Sequence, residues 1–120
     1  MDIDDPTTLF APTGGYRVRI TDHSAPPEDS LVEEVGGFPS LAQANEFARR
    51  YVRASIESCR APGLNDTDVL TAWLRFGEDA SVPDADPQGF QGADAAGLFA
   101  AEPADAEACN WRVLDPRRDE

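Results

Sequence analysis

The sequence predicts an α+β domain in which a small antiparallel sheet packs against one long helix. Three observations carry that expectation. Tyr16-Arg17-Val18-Arg19-Ile20-Thr21 alternates strictly between apolar and polar residues, the period of a strand with one buried face. Leu41 to Cys59 repeats its apolar residues at helical spacing behind a capping residue, Ser40. The chain has 120 residues, 41% of them hydrophobic, which suits one modest core and argues against wholesale disorder.

Taken in order, residues 1–15 hold Pro6, Pro12, Gly14 and Gly15 without periodicity and read as a flexible N-terminal arm. The first strand, over 16–22, turns Tyr16, Val18 and Ile20 to one side and Arg17, Arg19 and Thr21 to the other. Asp22 to Ser30, with Pro26-Pro27, is a loop. Leu31-Val32-Glu33-Glu34-Val35 predicts a second strand over 30–36, antiparallel to the first. Its glutamates can face Arg17 and Arg19, pairings worth roughly 0.2–1 kcal/mol each. Gly36-Gly37 suggests a bulge or tight bend before Phe38.

A helix over 40–59 follows. Ser40 and Gln43 have the spacing of a capping box, with Pro39 immediately before. Leu41, Ala44, Ala48, Tyr51, Val52, Ser55 and Cys59 form one stripe, flanked by Phe47 and Ile56. Glu46, Arg49, Arg50, Arg53 and Glu57 lie on the other side, and Pro62-Gly63 is the stop signal. A short helix over 66–75 is expected next, capped by Asn65 or Asp66 and carrying Val69, Leu70, Trp73 and Leu74. Leu70, Ala72, Leu74 and Phe76 also alternate as a strand would, but the cap signals and Gly77 favour the helix. A third strand falls at 80–82 or at 109–114, and an Ala-rich helix at 92–101, where Gly97 costs about 1 kcal/mol of propensity. Trp111, Val113 and Leu114 are candidate anchors for the last segment. The domain so expected is 16–114, with a flexible tail at 115–120.

Charge is the strongest compositional signal. There are 23 acidic residues against 10 basic ones, a formal −13, and every basic residue is arginine. Such a field repels nucleic-acid phosphates and anionic membranes, so direct binding of either is not expected; a basic protein partner is compatible with it. No apolar run approaches the ~18 residues a membrane helix needs. The start Met1-Asp2-Ile3-Asp4-Asp5 lacks a basic, apolar secretory pattern, and the cytoplasm is the expected compartment. Cys59 and Cys109 stand fifty residues apart, too far for a zinc ribbon, and in that compartment both are expected as thiols.

Few residues invite chemistry. His23, between Asp22 and Ser24, reads as an exposed loop histidine, since neighbours in an extended segment cannot form a relay. Glu78, Asp79, Asp84 and Asp86 are the densest carboxylates, but their spacing matches no calcium loop, and Gly14-Gly15 and Gly36-Gly37 match no phosphate loop. No catalytic residue, metal site or cofactor is assigned. The binding candidates are Asp22, Trp73, Glu78 and Asp79, with Trp73 and Trp111 expected as exposed aromatics.

Three segments together resemble a family of short bacterial proteins without an assigned activity. They are Tyr16 to Asp22, Gly36-Gly37-Phe38-Pro39-Ser40-Leu41, and Phe76-Gly77-Glu78-Asp79, covering roughly residues 16–86. The family's pattern is a strand ending in Asp, an acidic loop, a Gly-x-Phe-x-(Ser/Thr) entry to a long helix, and a short second helix before Phe-Gly-Glu-Asp. Ala80-Ser81-Val82-Pro83 departs from the aromatic-aliphatic continuation usual there, and the C-terminal third matches poorly. The resemblance implies a strand-strand-helix start and no particular reaction. The function expected is a small acidic interaction or accessory protein. The alternatives are a hydrolase-like enzyme using Asp22, Glu78 or Asp79, and an acidic mimic of nucleic acid that occupies a DNA-binding protein. Oligomeric state is left open.

Overall fold

A computed structural model describes residues 14–85 and 88–117 of the chain. Its fold is α+β, with a three-stranded antiparallel sheet and three α-helices. Strands β1 (Tyr16–Asp22), β2 (Leu31–Phe38) and β3 (Glu78–Ser81) lie in the order β2-β1-β3. Helices α1 (Leu41–Ser58) and α2 (Asp66–Phe76) fall between β2 and β3, and α3 (Gly92–Ala101) follows β3.

The alternation in β1 becomes alternation in burial. Tyr16, Val18 and Ile20 are buried, while Arg17 and Arg19 are exposed. Val18 pairs with Val35, and Ile20 lies between Glu33 and Ala80. The expected cross-strand charge pair forms: Arg19 sits opposite Glu34 and bonds it at 3.0 Å, and Arg17 reaches the same carboxylate at 3.2 Å. The Gly36-Gly37 bulge forms too. Tyr16 pairs with Phe38 and Val18 with Val35, so three steps along β2 match two along β1, and Gly37 takes φ +91°.

Helix α1 lies across the sheet and buries Leu41, Ala44, Phe47, Ala48, Val52 and Ile56. The Ser40 hydroxyl accepts from the Gln43 N–H, and the complete reciprocal box occurs instead on α2, between Asn65 and Asp68. The buried stripe of α1 is rotated from the expected one. Phe47 and Ile56 are fully buried, while Tyr51, Ser55 and Cys59 lie at its margin. The helix ends at Ser58, before the Pro62-Gly63 signal.

The third strand occupies 78–81 and not 80–82 or 109–114. Pairing begins directly after Gly77, with Glu78 opposite Asp22, and the Val82 N–H turns away to Phe90. Residues 109–114 instead cross α1: Arg50 bonds the Asn110 carbonyl at 3.2 Å, and Trp111 packs edge-on to Phe47 at 5.6 Å before a short 3₁₀ turn, Arg112–Leu114. The Ala-rich helix appears where its composition places it, burying Ala96, Phe99 and Ala100. Residues 115–117, expected within a flexible tail, reach back to the sheet, since Arg117 bonds Asp115 at 2.8 Å and Glu33 at 2.7 Å. Residues 1–13 of the expected arm and 118–120 of the tail lie outside the described residues.

Candidate functional site

The margin of α1 that leaves the core borders a cleft of about 360 Å³. Tyr51, Ser55 and Cys59 recur every four residues, so one edge of the helix presents all three to it. Phe76, Gly77 and Glu78 at the α2–β3 junction also line it, as does Trp111. Gly77 makes the junction possible by its lack of a side chain. A Cβ there would lie 2.2 Å from Trp73 Cδ1, so any other residue forces the indole out of place. Its φ of −85° is ordinary; close approach, and not a left-handed cap, is what requires glycine.

Glu78 is fixed at three points. Its N–H donates to Ser55 Oγ at 2.9 Å, its carbonyl accepts from Trp73 Nε1 at 3.2 Å, and its carboxylate accepts a short bond from the Tyr51 hydroxyl. Burial and the adjacent Glu78 carboxylate push the Tyr51 phenol well above its usual range, so it remains a donor. Burial likewise raises the Cys59 thiol, which stays protonated near neutrality. The cleft therefore offers one carboxylate, aromatic walls and neutral hydroxyls.

The four residues singled out from the sequence converge in backbone position but not in role. Asp22 and Glu78 are cross-strand partners, Asp79 follows Glu78, and Trp73 bonds the Glu78 carbonyl. Only Glu78 lines the cleft. The Asp22 carboxylate accepts from the Ser24 N–H and hydroxyl, which folds the turn after β1 and holds that carboxyl below its usual range. Trp73, expected as an exposed aromatic, is wholly buried, because its ring fills the space between α2 and the sheet end. Asp79 is raised by burial, although the neighbouring His23 opposes the shift, and its Oδ1 accepts from the Ala80 N–H while leaving no room for a Cβ on Gly92.

His23 also departs from expectation. Its ring stands edge-on to Trp73 at 4.5 Å, its backbone N–H donates to the Gly77 carbonyl, and its Nε2 is buried without a hydrogen-bond partner. Tyr51 and Trp111, which the sequence did not single out as a pair, lie 5.1 Å apart. Tyr51 and Trp111 are far apart in sequence, and no helical spacing marks such a contact.

A larger groove of about 490 Å³ runs beside Arg49, Arg50 and Arg53, but its cations are already engaged. Glu46 takes Arg49 and Arg50, and Arg53 bonds the Glu102 carbonyl at 3.3 Å while lying over Phe99. Among the described residues, no group of three His, Cys, Asp or Glu side chains is placed to hold a metal ion, and no helix is long and apolar enough to cross a membrane. No family model, curated protein or solved structure matches the chain.

Proposed function

We propose that the protein is a non-catalytic interaction module of the cytoplasm that docks a basic protein partner. The observation that carries this reading is the unequal use of charge. Arg17, Arg19, Arg49, Arg50, Arg60 and Arg117 pair with the chain's own carboxylates, and Arg53 and Arg112 lie over Phe99 and Trp111. Glu28, Asp29, Asp66, Asp94, Glu102, Asp105 and Glu107 meanwhile face solvent. Most of the described cations are thus engaged by the chain itself, and the excess of carboxylates faces outward. Such a surface steers cationic partners and rejects anionic ones. The same proposal groups the chain with the short bacterial proteins it resembles, whose Phe-Gly-Glu-Asp motif corresponds here to Phe76, Gly77 and Glu78 at the cleft wall and Asp79 behind it.

Calorimetric titration with a decapeptide alternating arginine and glycine tests the reading. Binding is expected at about 50 mM salt and is expected to be lost by about 500 mM, as screening shortens the range of the field. An aspartate-glycine decapeptide and duplex DNA serve as anionic controls and should not bind. An arginine peptide that fails to bind at low salt removes the proposal.

A further inference from the structure

We infer that the cleft between α1, the α2–β3 junction and Trp111 receives one arginine or lysine side chain of the basic partner. This rests on the reading just given and assigns its anchor point.

Charge sets the sign of the ligand. Glu78 is the single formal charge among the cleft-lining residues, and it forms no ion pair with any described arginine. That distinguishes it from Glu34, Glu46, Glu57, Asp84 and Asp115, each of which holds a guanidinium. The Tyr51 hydroxyl occupies Oε1, and a carboxylate can accept about four bonds, so Oε2 has capacity for a charged donor. A half-buried carboxylate gains more from a cation than one on the open surface, because less water competes for it.

The walls suit the rest of such a side chain. Tyr51, Trp111 and Phe76 bring three aromatic rings to one cleft, and cations favour ring faces. Trp111 already holds the Arg112 guanidinium 4.4 Å from its ring centre, so an indole in this setting accepts a cation. Phe76 is 70% exposed at the rim, where it can cover the methylene stem of an incoming chain. At about 360 Å³ the cleft lies near the low end for small-ligand sites, a size for one side chain and not for a folded segment.

The test compares peptide affinity across variants of the full chain, each checked by circular dichroism. Glu78→Gln keeps an acceptor for Tyr51 and removes the charge; it is expected to weaken the arginine–glycine decapeptide about tenfold or more. Phe76→Ser, at an exposed position outside the core, is expected to weaken it about threefold. Glu28→Gln, the same charge change on the Pro27–Asp29 turn, controls for the general field and should change affinity less than about twofold. If Glu78→Gln does not fold, Phe76→Ser decides. Variants at Glu78 and Phe76 that bind as the wild type does overturn the anchor and leave the interaction reading standing. A wild-type chain that does not bind overturns both.

Discussion

Residues 16–58 and residues 82–117 are held in place by different forces. The first region is ordered by apolar burial: Val18, Ile20, Val35, Phe38, Phe47, Val52 and Ile56 are all essentially inaccessible to solvent. Each such side chain contributes roughly 1.5–3 kcal/mol on leaving water. The second region fully buries only Val82, Ala96, Phe99 and Ala100 among its described hydrophobic residues, packs Phe90, Trp111 and Leu114 at the core's margin, and is further tied down by single polar side chains. Arg17 grips Asp84, Asn45 bonds the Gln88 carbonyl and the Phe90 N–H, and Arg60 bonds the Phe99 and Ala100 carbonyls. Arg50 takes the Asn110 carbonyl, and Arg117 takes Glu33. Burial acts over a surface and tolerates small changes; a polar tie acts at a point. The fold should therefore fail globally when the core is cut and locally when a tie is cut.

The sharpest way to cut the buried core that orders the first region is Trp73→Ala, on the helix that packs against α1. This side chain is fully buried and bonds the Glu78 carbonyl, so its loss removes packing and a bond at once. A destabilisation of about 3–5 kcal/mol is expected by denaturant titration. Because α2 packs against α1 and α3, a single cooperative transition should move. A cost below about 1 kcal/mol would mean that Trp73 sits in no real core.

A smaller and more local effect is expected from Asn45→Ala. The Asn45 amide stands in for a strand partner, accepting from the Phe90 N–H at 2.7 Å and donating to the Gln88 carbonyl at 3.3 Å. Removal leaves a partly buried N–H without its acceptor, at about 1–3 kcal/mol. Amide exchange at Phe90 should accelerate while Val18 and Ile20 keep their protection. Equal acceleration at all three sites would erase the distinction between the regions.

That distinction also explains what the sequence disclosed. Burial leaves a period, and the period located β1 within 16–22 and the body of α1, while the cap signals and Gly77 decided α2 against its strand-like alternative. The ties leave none. Arg60 reaches Phe99 across 39 residues and Arg117 reaches Glu33 across 84, and no spacing rule marks such partners. Residues 109–114 therefore read equally well as a strand, although Arg50 and Phe47 hold them across a helix. The cleft was half legible. Glu78 stood out in Phe76-Gly77-Glu78-Asp79, but Tyr51 read as core because a stripe's margin and its centre share one periodicity. Trp73 was misread for a related reason: a large aromatic on a short amphipathic helix can face either way until the partner helix is placed.

Acidification gives the smallest effect and the finest separation. Bonding to Arg17 lowers the Asp84 carboxyl from its ordinary 3.8, and bonding to Arg60 lowers Glu57 from 4.5. Arg117 lowers Asp115 in the same way, and at Glu46 the bonds from Arg50 and Arg49 outweigh burial. In each case the unfolded chain takes up the proton first as pH falls, so these pairs stabilise the fold above the ordinary values and lose that contribution on passing down through the lowered ones. Their carboxylates are partly exposed, and screening holds each to less than about 1 kcal/mol. Asp79 runs the other way: burial raises it from 3.8, so its charged form opposes folding at neutral pH and that opposition fades as it protonates. As pH falls from 6 to 3, protection factors, which correct for the slowing intrinsic exchange, should therefore drop first around Phe99, Ala100 and Asn110, ahead of β1, and Asp79→Asn should raise the melting temperature at pH 7 but confer less at pH 3. A uniform loss of protection would show that the carboxylate–arginine ties do not hold the C-terminal region, and an Asp79→Asn gain that grows on acidification would show that burial does not oppose the Asp79 charge.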